Sequence, residues 1–202
     1  MTTPAFTRLD VDERRRQLLE AGARAFTDRP YDEVSMNDLA RSAGISKGLL
    51  YHYFPSKRDL FTATLAAAAA ELAAVTEPDP ELPPIEQLTT SVGAYLAWIE
   101  ANAPSYRRLL ESVGSPDVRS LVDEVRSRTV ERIVEGVSQG DPRPALRVAV
   151  RAWLSGMDAA ILDWLDTADL TRDQLRDLLA ATFVGALGAA RHVDPAVELA
   201  VG

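Results

Sequence analysis

Apolar residues recur every three or four positions along most of this chain, with polar residues between them. That spacing is typical of amphipathic helices, because it gathers the apolar side chains on one helix face. No segment alternates β-branched and polar residues between Asn-Gly or Asp-Gly turns, as β-hairpins do. The pattern therefore predicts an all-α fold of about nine helices.

Capping residues and helix breakers set the expected boundaries. In the N-terminal third, four helices are predicted to begin after Asp10, at Ser35, after Ser46 and after Ser56. Further helices are predicted over about 85–101, 105–113, 117–138, 143–166 and 171–191, with a short tail over 192–202. Capping boxes are expected for the pairs Asp10 and Glu13, Ser35 and Asp38, Ser56 and Asp59, and Thr171 and Gln174.

The segment 35–58 predicts a helix-turn-helix unit. Two short helices flank Gly44, where the tight turn needs a residue that tolerates positive φ. The expected core between these helices consists of Leu39, Ala40, Ile45, Leu50 and Phe54. The same spacing leaves an outer face on the second helix, made of Lys47, Gly48, Tyr51 and His52.

The residues of this outer face suit a polyanion. The Lys47 ammonium can reach a phosphate or a guanine edge, and the absence of a side chain at Gly48 lets backbone approach DNA. The Tyr51 hydroxyl can donate to a phosphate, and His52 and Tyr53 are further candidates for the DNA backbone. Lys57 lies in the first turn of the next predicted helix, where unpaired amides already favour a phosphate.

Composition and charge narrow the function classes. The 202 residues contain no cysteine and two histidines, His52 and His192, which excludes a disulfide framework, a cysteine-based metal site and a thiol nucleophile. The formal net charge is -8, yet residues 1–60 carry 10 basic and 9 acidic groups. The acidic excess therefore lies in residues 61–202, and the overall acidity does not argue against DNA binding by the N-terminal part.

The run 39–61, LARSAGISKGLLYHYFPSKRDLF, resembles the DNA-binding signature of TetR-type (TetR/AcrR) transcriptional regulators. The resemblance extends over about 10–62 and implies an N-terminal three-helix DNA-binding domain. It implies a helical C-terminal domain over 63–202 that binds a small ligand and dimerises. On this pattern Asn37, Lys47 and Gly48 would lie near bases. The residues implied to lie near phosphates or to support the DNA interface are Ser35, Met36, Ser46, Tyr51, His52, Tyr53 and Lys57.

One position departs from the pattern. Pro30 stands where such regulators usually have a glycine that closes the first helix. Because proline cannot adopt positive φ, the end of that helix must be built differently here.

Small and aromatic residues of the C-terminal part suggest a dimer interface and a ligand cavity. Small residues that would allow close helix crossing between two copies are Ala149, Ala152, Gly156, Ala160, Gly185 and Ala189. Ordinary packing within one chain is the alternative for this set. Candidates to line an apolar ligand cavity, or else plain core residues, are Tyr95, Trp98, Tyr106, Trp153, Met157, Trp164 and Phe183.

These observations predict a homodimeric, ligand-responsive transcriptional repressor that reads an inverted-repeat operator in the major groove. An apolar or weakly polar ligand is favoured, and no cofactor, metal or membrane partner is expected. The polar N-terminus predicts a cytoplasmic protein. Two alternatives remain open: an enzyme that uses an acidic dyad in a helical cavity, and a non-specific architectural DNA-binding protein, which the acidic charge disfavours.

Overall fold

The computed structural model describes residues 8–139 and 142–200, with side chains from Val11 onward. The predicted all-α fold is confirmed, since these residues form nine α-helices and a single 3-10 turn at Tyr31–Glu33. The helices are α1 Arg8–Asp28, α2 Met36–Ser42, α3 Lys47–Tyr53, α4 Lys57–Val75, α5 Pro84–Ala101, α6 Ala103–Ser112, α7 Pro116–Val137, α8 Pro144–Thr167 and α9 Arg172–Val193.

Four of the five predicted N-terminal caps form, but only one of the four predicted capping boxes is complete. Ser46 accepts a hydrogen bond from the Leu49 amide, and Thr171 and Gln174 complete their capping box. Ser35 caps α2 by accepting from the Asn37 amide, whereas the Asp38 carboxylate pairs with Arg41. The predicted start after Asp10 is wrong, because α1 already includes Arg8 and continues through Asp10.

The Ser56 hydroxyl caps α4 by accepting from the Asp59 amide at 3.1 Å. The same hydroxyl donates to the Asp59 carboxylate at 2.7 Å. In a full capping box the Asp59 carboxylate would accept from the Ser56 backbone amide, whereas here it accepts from the Ser56 hydroxyl. The two bonds together still fix the first turn of α4.

Two compact units divide the chain, and each has its own core. The first combines the residues up to Ala70 with Pro104–Leu121, and the second combines Glu71–Ala103 with the residues from Val122 onward. The predicted domain boundary at 62 and 63 stays a prediction. In the first unit the ring of Phe61 lies 4.8 Å from that of Phe26 and 4.9 Å from that of Tyr31.

The core of the second unit is built from α5, α8 and α9. Each of these helices contributes a fully buried side chain, namely Leu96, Val150 and Leu175. The C-terminal residues are held against the end of α7, where the Ala200 amide donates to the Val137 carbonyl at 2.8 Å. The region predicted as a tail therefore begins with the last residues of α9 and ends in a backbone pairing.

No helix in the described ranges is both long and apolar enough to cross a bilayer.

Candidate nucleic-acid interface

The turn between α2 and α3 has the geometry that the sequence predicts. Gly44 adopts φ 66°, and the Ile45 amide donates to the Ala40 carbonyl at 3.0 Å. An L-residue at this φ would bring its Cβ close to the backbone, so the turn depends on glycine. The two helices meet over Leu39, Ala40, Leu50 and Phe54, which are all buried, while Ile45 is only half-buried.

The outer face of α3 is exposed. Lys47, Gly48, Tyr51 and His52 are all accessible, and the Lys47 ammonium lies 5.6 Å from the centre of the Tyr51 ring. Leu49 is also 37% exposed, which the sequence reasoning did not single out. An apolar side chain at this position is chemically suited to contact a thymine methyl group.

The residues around α3 differ in how available they are. Asn37 is exposed, whereas the Met36 side chain is buried. The Ser35 and Ser46 hydroxyls accept hydrogen bonds from helix amides. Tyr53 is half-buried with its ring edge-on to His52 at 5.6 Å.

The Lys57 ammonium is engaged within the chain. It donates to the carbonyls of Tyr31 at 2.9 Å and Asp32 at 3.3 Å, and it lies 4.4 Å from the centre of the Tyr31 ring. Burial raises the pKa of the Tyr31 phenol, and the nearby Asp117 carboxylate adds to that rise. The phenol therefore stays neutral. Through its bonds to the Tyr31 and Asp32 carbonyls, Lys57 joins the first turn of α4 to the connection between α1 and α2.

That connection also answers the question raised by Pro30. Pro30 has φ -53° and ψ 146°, and the 3-10 turn Tyr31–Glu33 follows it directly. Helix α1 has already ended at Asp28, so no positive φ is needed at Pro30.

A partly open cleft of about 170 Å³ lies in the first unit, next to this connection. It is lined by residues of the 3-10 turn and of α6, among them Tyr31, Arg108 and Glu111. The Arg108 guanidinium pairs with Glu111 at 2.8 Å and donates to the Thr27 carbonyl at 3.4 Å. None of the seven residues predicted to line a ligand cavity lines this cleft.

The seven candidates for a ligand cavity fall in both units. Tyr106 belongs to the first unit, and the other six belong to the second. The Trp153 ring lies 4.6 Å from that of Phe183, and the Trp164 indole N–H donates to the Leu170 carbonyl at 2.9 Å. Met157 is buried like Phe183, whereas the two candidates on α5, Tyr95 and Trp98, are half-buried.

The small residues predicted for a dimer interface form a surface on α8 and α9. Ala152, Gly156, Gly185 and Ala189 are exposed, and Ala149 and Ala160 are half-buried. A Cβ added at Gly156 or Gly185 would meet no atom of the chain within 4 Å. The surface also carries large exposed apolar side chains, namely Val148, Leu178 and Val184.

No group of three or more His, Asp or Glu side chains that could hold a metal ion occurs in the residues that the structure describes.

Comparisons with known proteins agree with this geometry. Residues 18–64 match the family model described as bacterial regulatory proteins, tetR family, and residues 84–186 match the model for the tetracyclin repressor-like C-terminal domain. Two similar relatives come from Mycolicibacterium smegmatis. The transcriptional activator FasR is 31% identical over 72% of this chain and 68% of its own. The transcriptional repressor KstR2 is 31% identical over 67% of this chain and 70% of its own.

A solved tetR-family regulator from Streptomyces coelicolor superposes with a TM-score of 0.73 and 32% identity, covering 91% of this chain and 84% of that one. Both halves of the chain match models of the same family, and the helix-turn-helix unit has the expected turn and exposed face. Members of this family are transcriptional regulators that bind DNA and dimerise, rather than enzymes. The chain therefore belongs to the TetR family of bacterial helix-turn-helix transcriptional regulators.

Proposed function

We propose that this protein is a homodimeric, ligand-responsive transcriptional repressor that binds an inverted-repeat operator in the major groove. The observation that carries the proposal is the outer face of α3, where Lys47, Gly48, Tyr51 and His52 are exposed above a fully buried Leu50. A recognition helix needs this division between a face for DNA and a face for the core.

The contacts of one half-site follow from this face. We propose that Asn37, Lys47 and Gly48 approach base edges, because they lie near the starts of α2 and α3. Contacts to the DNA backbone are proposed for Ser35, Met36, Ser46, Tyr51, His52, Tyr53 and Lys57. Backbone contacts set the register of a protein on the duplex, and base contacts supply the specificity.

The proposed dimer joins two copies through α8 and α9. Support comes from the exposed small residues Ala152, Gly156, Gly185 and Ala189, which would let helices of two copies approach closely. The large exposed apolar side chains beside them would lose their contact with water in such a pairing. An isologous four-helix interface of this kind gives the two-fold symmetry that an inverted repeat requires.

The proposed ligand response couples the second unit to DNA affinity. A small molecule that binds one arrangement of the dimer more tightly than the other shifts the population toward that arrangement. The size of the shift is set by the difference between the two affinities. One similar relative is named an activator and another a repressor, so the names of relatives do not decide the direction of regulation. The repressor role is therefore part of our proposal. Because its DNA target lies there, we also propose that the protein acts in the cytoplasm.

Selection of bound sequences from a random duplex library at physiological salt tests the proposal. We expect enrichment of an inverted repeat whose half-site centres lie about 34–36 Å apart, or a multiple of that distance. The selected repeat, placed across a promoter, should reduce transcription by purified RNA polymerase when the protein is added.

The Tyr51→Ala variant serves as the control for contact through α3, and it should bind the selected repeat more weakly while preferring the same bases. Failure to enrich any sequence would contradict the proposed operator binding. Tight binding to every duplex alike would favour an architectural protein.

A further inference from the structure

Two polar side-chain atoms of α5 are shielded from solvent and have no hydrogen-bond partner: Ser91 Oγ and Trp98 Nε1. Buried polar atoms in folded proteins are nearly always paired, because an unpaired one has lost its water without compensation. Each such atom therefore needs an explanation, and a ligand that supplies the missing partner is one.

Comparable groups in the part of the chain that the structure describes are paired with protein atoms. The other two indoles donate to backbone carbonyls, Trp153 to Leu179 at 3.1 Å and Trp164 to Leu170 at 2.9 Å. On α5 itself, the Thr89 hydroxyl donates back to the Ile85 carbonyl at 3.0 Å. Ser91 could use the carbonyl one turn earlier in the same way, yet it does not.

The two atoms belong to one face of α5. Ser91 and Trp98 are seven residues apart, so their side chains leave the helix in nearly the same direction, about 10 Å apart along its axis. The close packing of α5 on α9 uses another face, where a Cβ at Gly93 would lie 3.4 Å from Cδ of Arg176. That position is roughly 150° around the helix from the two unpaired atoms.

The face that carries these atoms is uncharged. Its other polar residues within α5 are Gln87 and Tyr95, whereas the acidic residues of α5 are exposed, with Glu100 paired to Arg172 at 2.9 Å. An indole N–H can only donate, so its partner must be an acceptor. Burial of an ionised acceptor here would need a compensating charge, which this face does not supply.

We infer that this face of α5 is the polar part of the ligand site and takes an uncharged, largely apolar molecule with a carbonyl oxygen. That oxygen accepts a hydrogen bond from Trp98 Nε1, and pairing of the Ser91 hydroxyl, about 10 Å away along the helix, takes a second polar group at the other end of the molecule. The inference rests on the ligand response proposed above and specifies the chemical class of the ligand.

The protein has three tryptophans, so nitrogen-15 labelling of the indoles gives one NMR signal for each. The probes are 2-acetylnaphthalene, 2-ethylnaphthalene, which has a similar shape without the oxygen, and 2-naphthoate, which carries a charge. We expect 2-acetylnaphthalene to shift the Trp98 N–H signal downfield and to bind about three- to tenfold more tightly than 2-ethylnaphthalene. Trp98→Phe should abolish that preference, and Trp164→Phe should keep it.

Unfolding of the ligand-free variants provides a second readout. Trp98→Phe and Trp164→Phe remove the same volume, but only the second leaves a carbonyl, that of Leu170, without its donor. We therefore expect a lower midpoint for Trp164→Phe than for Trp98→Phe. A midpoint for Trp98→Phe at or below that of Trp164→Phe would overturn the inference, because removal of an unpaired indole N–H should leave no acceptor without its donor.

Three outcomes of the titration would also overturn it: no binding of 2-acetylnaphthalene, equal binding of the ketone and the hydrocarbon, or tighter binding of 2-naphthoate. Operator binding is measured on the same samples. If the protein binds the operator but 2-acetylnaphthalene does not shift the Trp98 N–H signal, only this inference is rejected. If the protein without substitutions does not bind an operator, the proposed function is rejected.

Discussion

Lys47 and Tyr51 stand one helical turn apart on α3, and their chemistry predicts different effects on DNA recognition. Lys47→Ala should relax the preference at one base pair of each half-site, at a cost of about 1–3 kcal/mol for the preferred base. Tyr51→Ala should weaken binding to all sequences alike, because phosphate contacts carry no sequence information. Affinities for the operator and its single-base variants measure both effects.

Arg132→Ala, an exposed substitution on α7, is the control and should change neither quantity. Uniform weakening by Lys47→Ala would assign Lys47 to the DNA backbone instead of a base.

Lys57 has two possible uses, and its salt dependence separates them. If the ammonium reaches a phosphate, Lys57→Ala should reduce the slope of log K against log salt concentration by about 1. Titration of the operator complex with salt measures this slope, and Lys57→Arg, which keeps the charge, should retain it. Lower affinity with an unchanged slope would show that Lys57 acts only through its bonds to the Tyr31 and Asp32 carbonyls.

Individual residues show where sequence reasoning succeeds and where it stops. Helical spacing alone was enough to predict that Lys47 and Tyr51 are exposed while Leu50 is buried. It did not predict that Asp38 would pair with Arg41, because a carboxylate in the first turn can choose between an amide and a nearby guanidinium. The burial of Met36 was missed because its assignment came from resemblance and not from its own apolar character.

Within the helix-turn-helix unit, Gly44 and Gly48 predict opposite effects when each is replaced by alanine. A Cβ at either position would meet no atom beyond the neighbouring residues within 4 Å, so only the local backbone conformation distinguishes the two positions within the chain. Gly44→Ala should destabilise the fold by about 1–2 kcal/mol, because alanine is strained at φ 66°. Gly48→Ala lies inside α3 and should stabilise it by up to about 1 kcal/mol.

DNA binding should nevertheless fall for Gly48→Ala, because the added methyl group keeps backbone away from the duplex. Urea unfolding and operator affinity, measured on both variants, check the pair. A Gly48→Ala variant that binds as tightly as the original chain would remove Gly48 from the interface.

At the scale of helices, the sequence predicted every α-helix but not the elements that lack a helical period. The 3-10 turn Tyr31–Glu33 is too short to show one. Ser138 pairs with Leu199, which is about 60 positions away, so no local sequence pattern predicts this pairing. The same limit applies to Ser91 and Trp98, whose missing partners become visible only when the surrounding atoms are known.

For the whole molecule, Gly156→Leu tests the proposed dimer. The chain itself has room for a side chain at this position, so helical circular dichroism should be retained. In an isologous interface the change occurs once from each copy, and overpacking typically costs about 1–3 kcal/mol or more. The variant should sediment as a monomer and lose operator binding, because one half-site makes too few contacts.

Gly136→Leu is the matched control, since Gly136 is also an exposed helical glycine with no neighbour within 4 Å. This control should remain dimeric. A Gly156→Leu variant that stays dimeric and binds DNA would exclude the α8 part of the proposed interface.

The division into units could not be predicted from the sequence, because it depends on contacts between distant residues. Ser105 lies within hydrogen-bond distance of Thr27 at 2.7 Å, and Asp117 pairs with Arg58 at 2.7 Å. In the sequence, these four residues look like any other polar residues on a protein surface, so neither pairing can be predicted. These contacts join α6 and the start of α7 to the rest of the first unit, which contains Tyr106 but none of the other six cavity candidates.

That grouping limits how the protein can be used as a building block. The DNA-binding unit is discontinuous in sequence, so a chimera made by joining residues up to Ala70 to a foreign sensor would leave behind Pro104–Leu121. The transplanted residues would then lack the partners that Pro104–Leu121 supplies, such as Asp117 for Arg58 and Ser105 for Thr27. A transferable module must carry both segments, which makes insertion of a sensor between them, rather than fusion at one end, the route to an engineered biosensor.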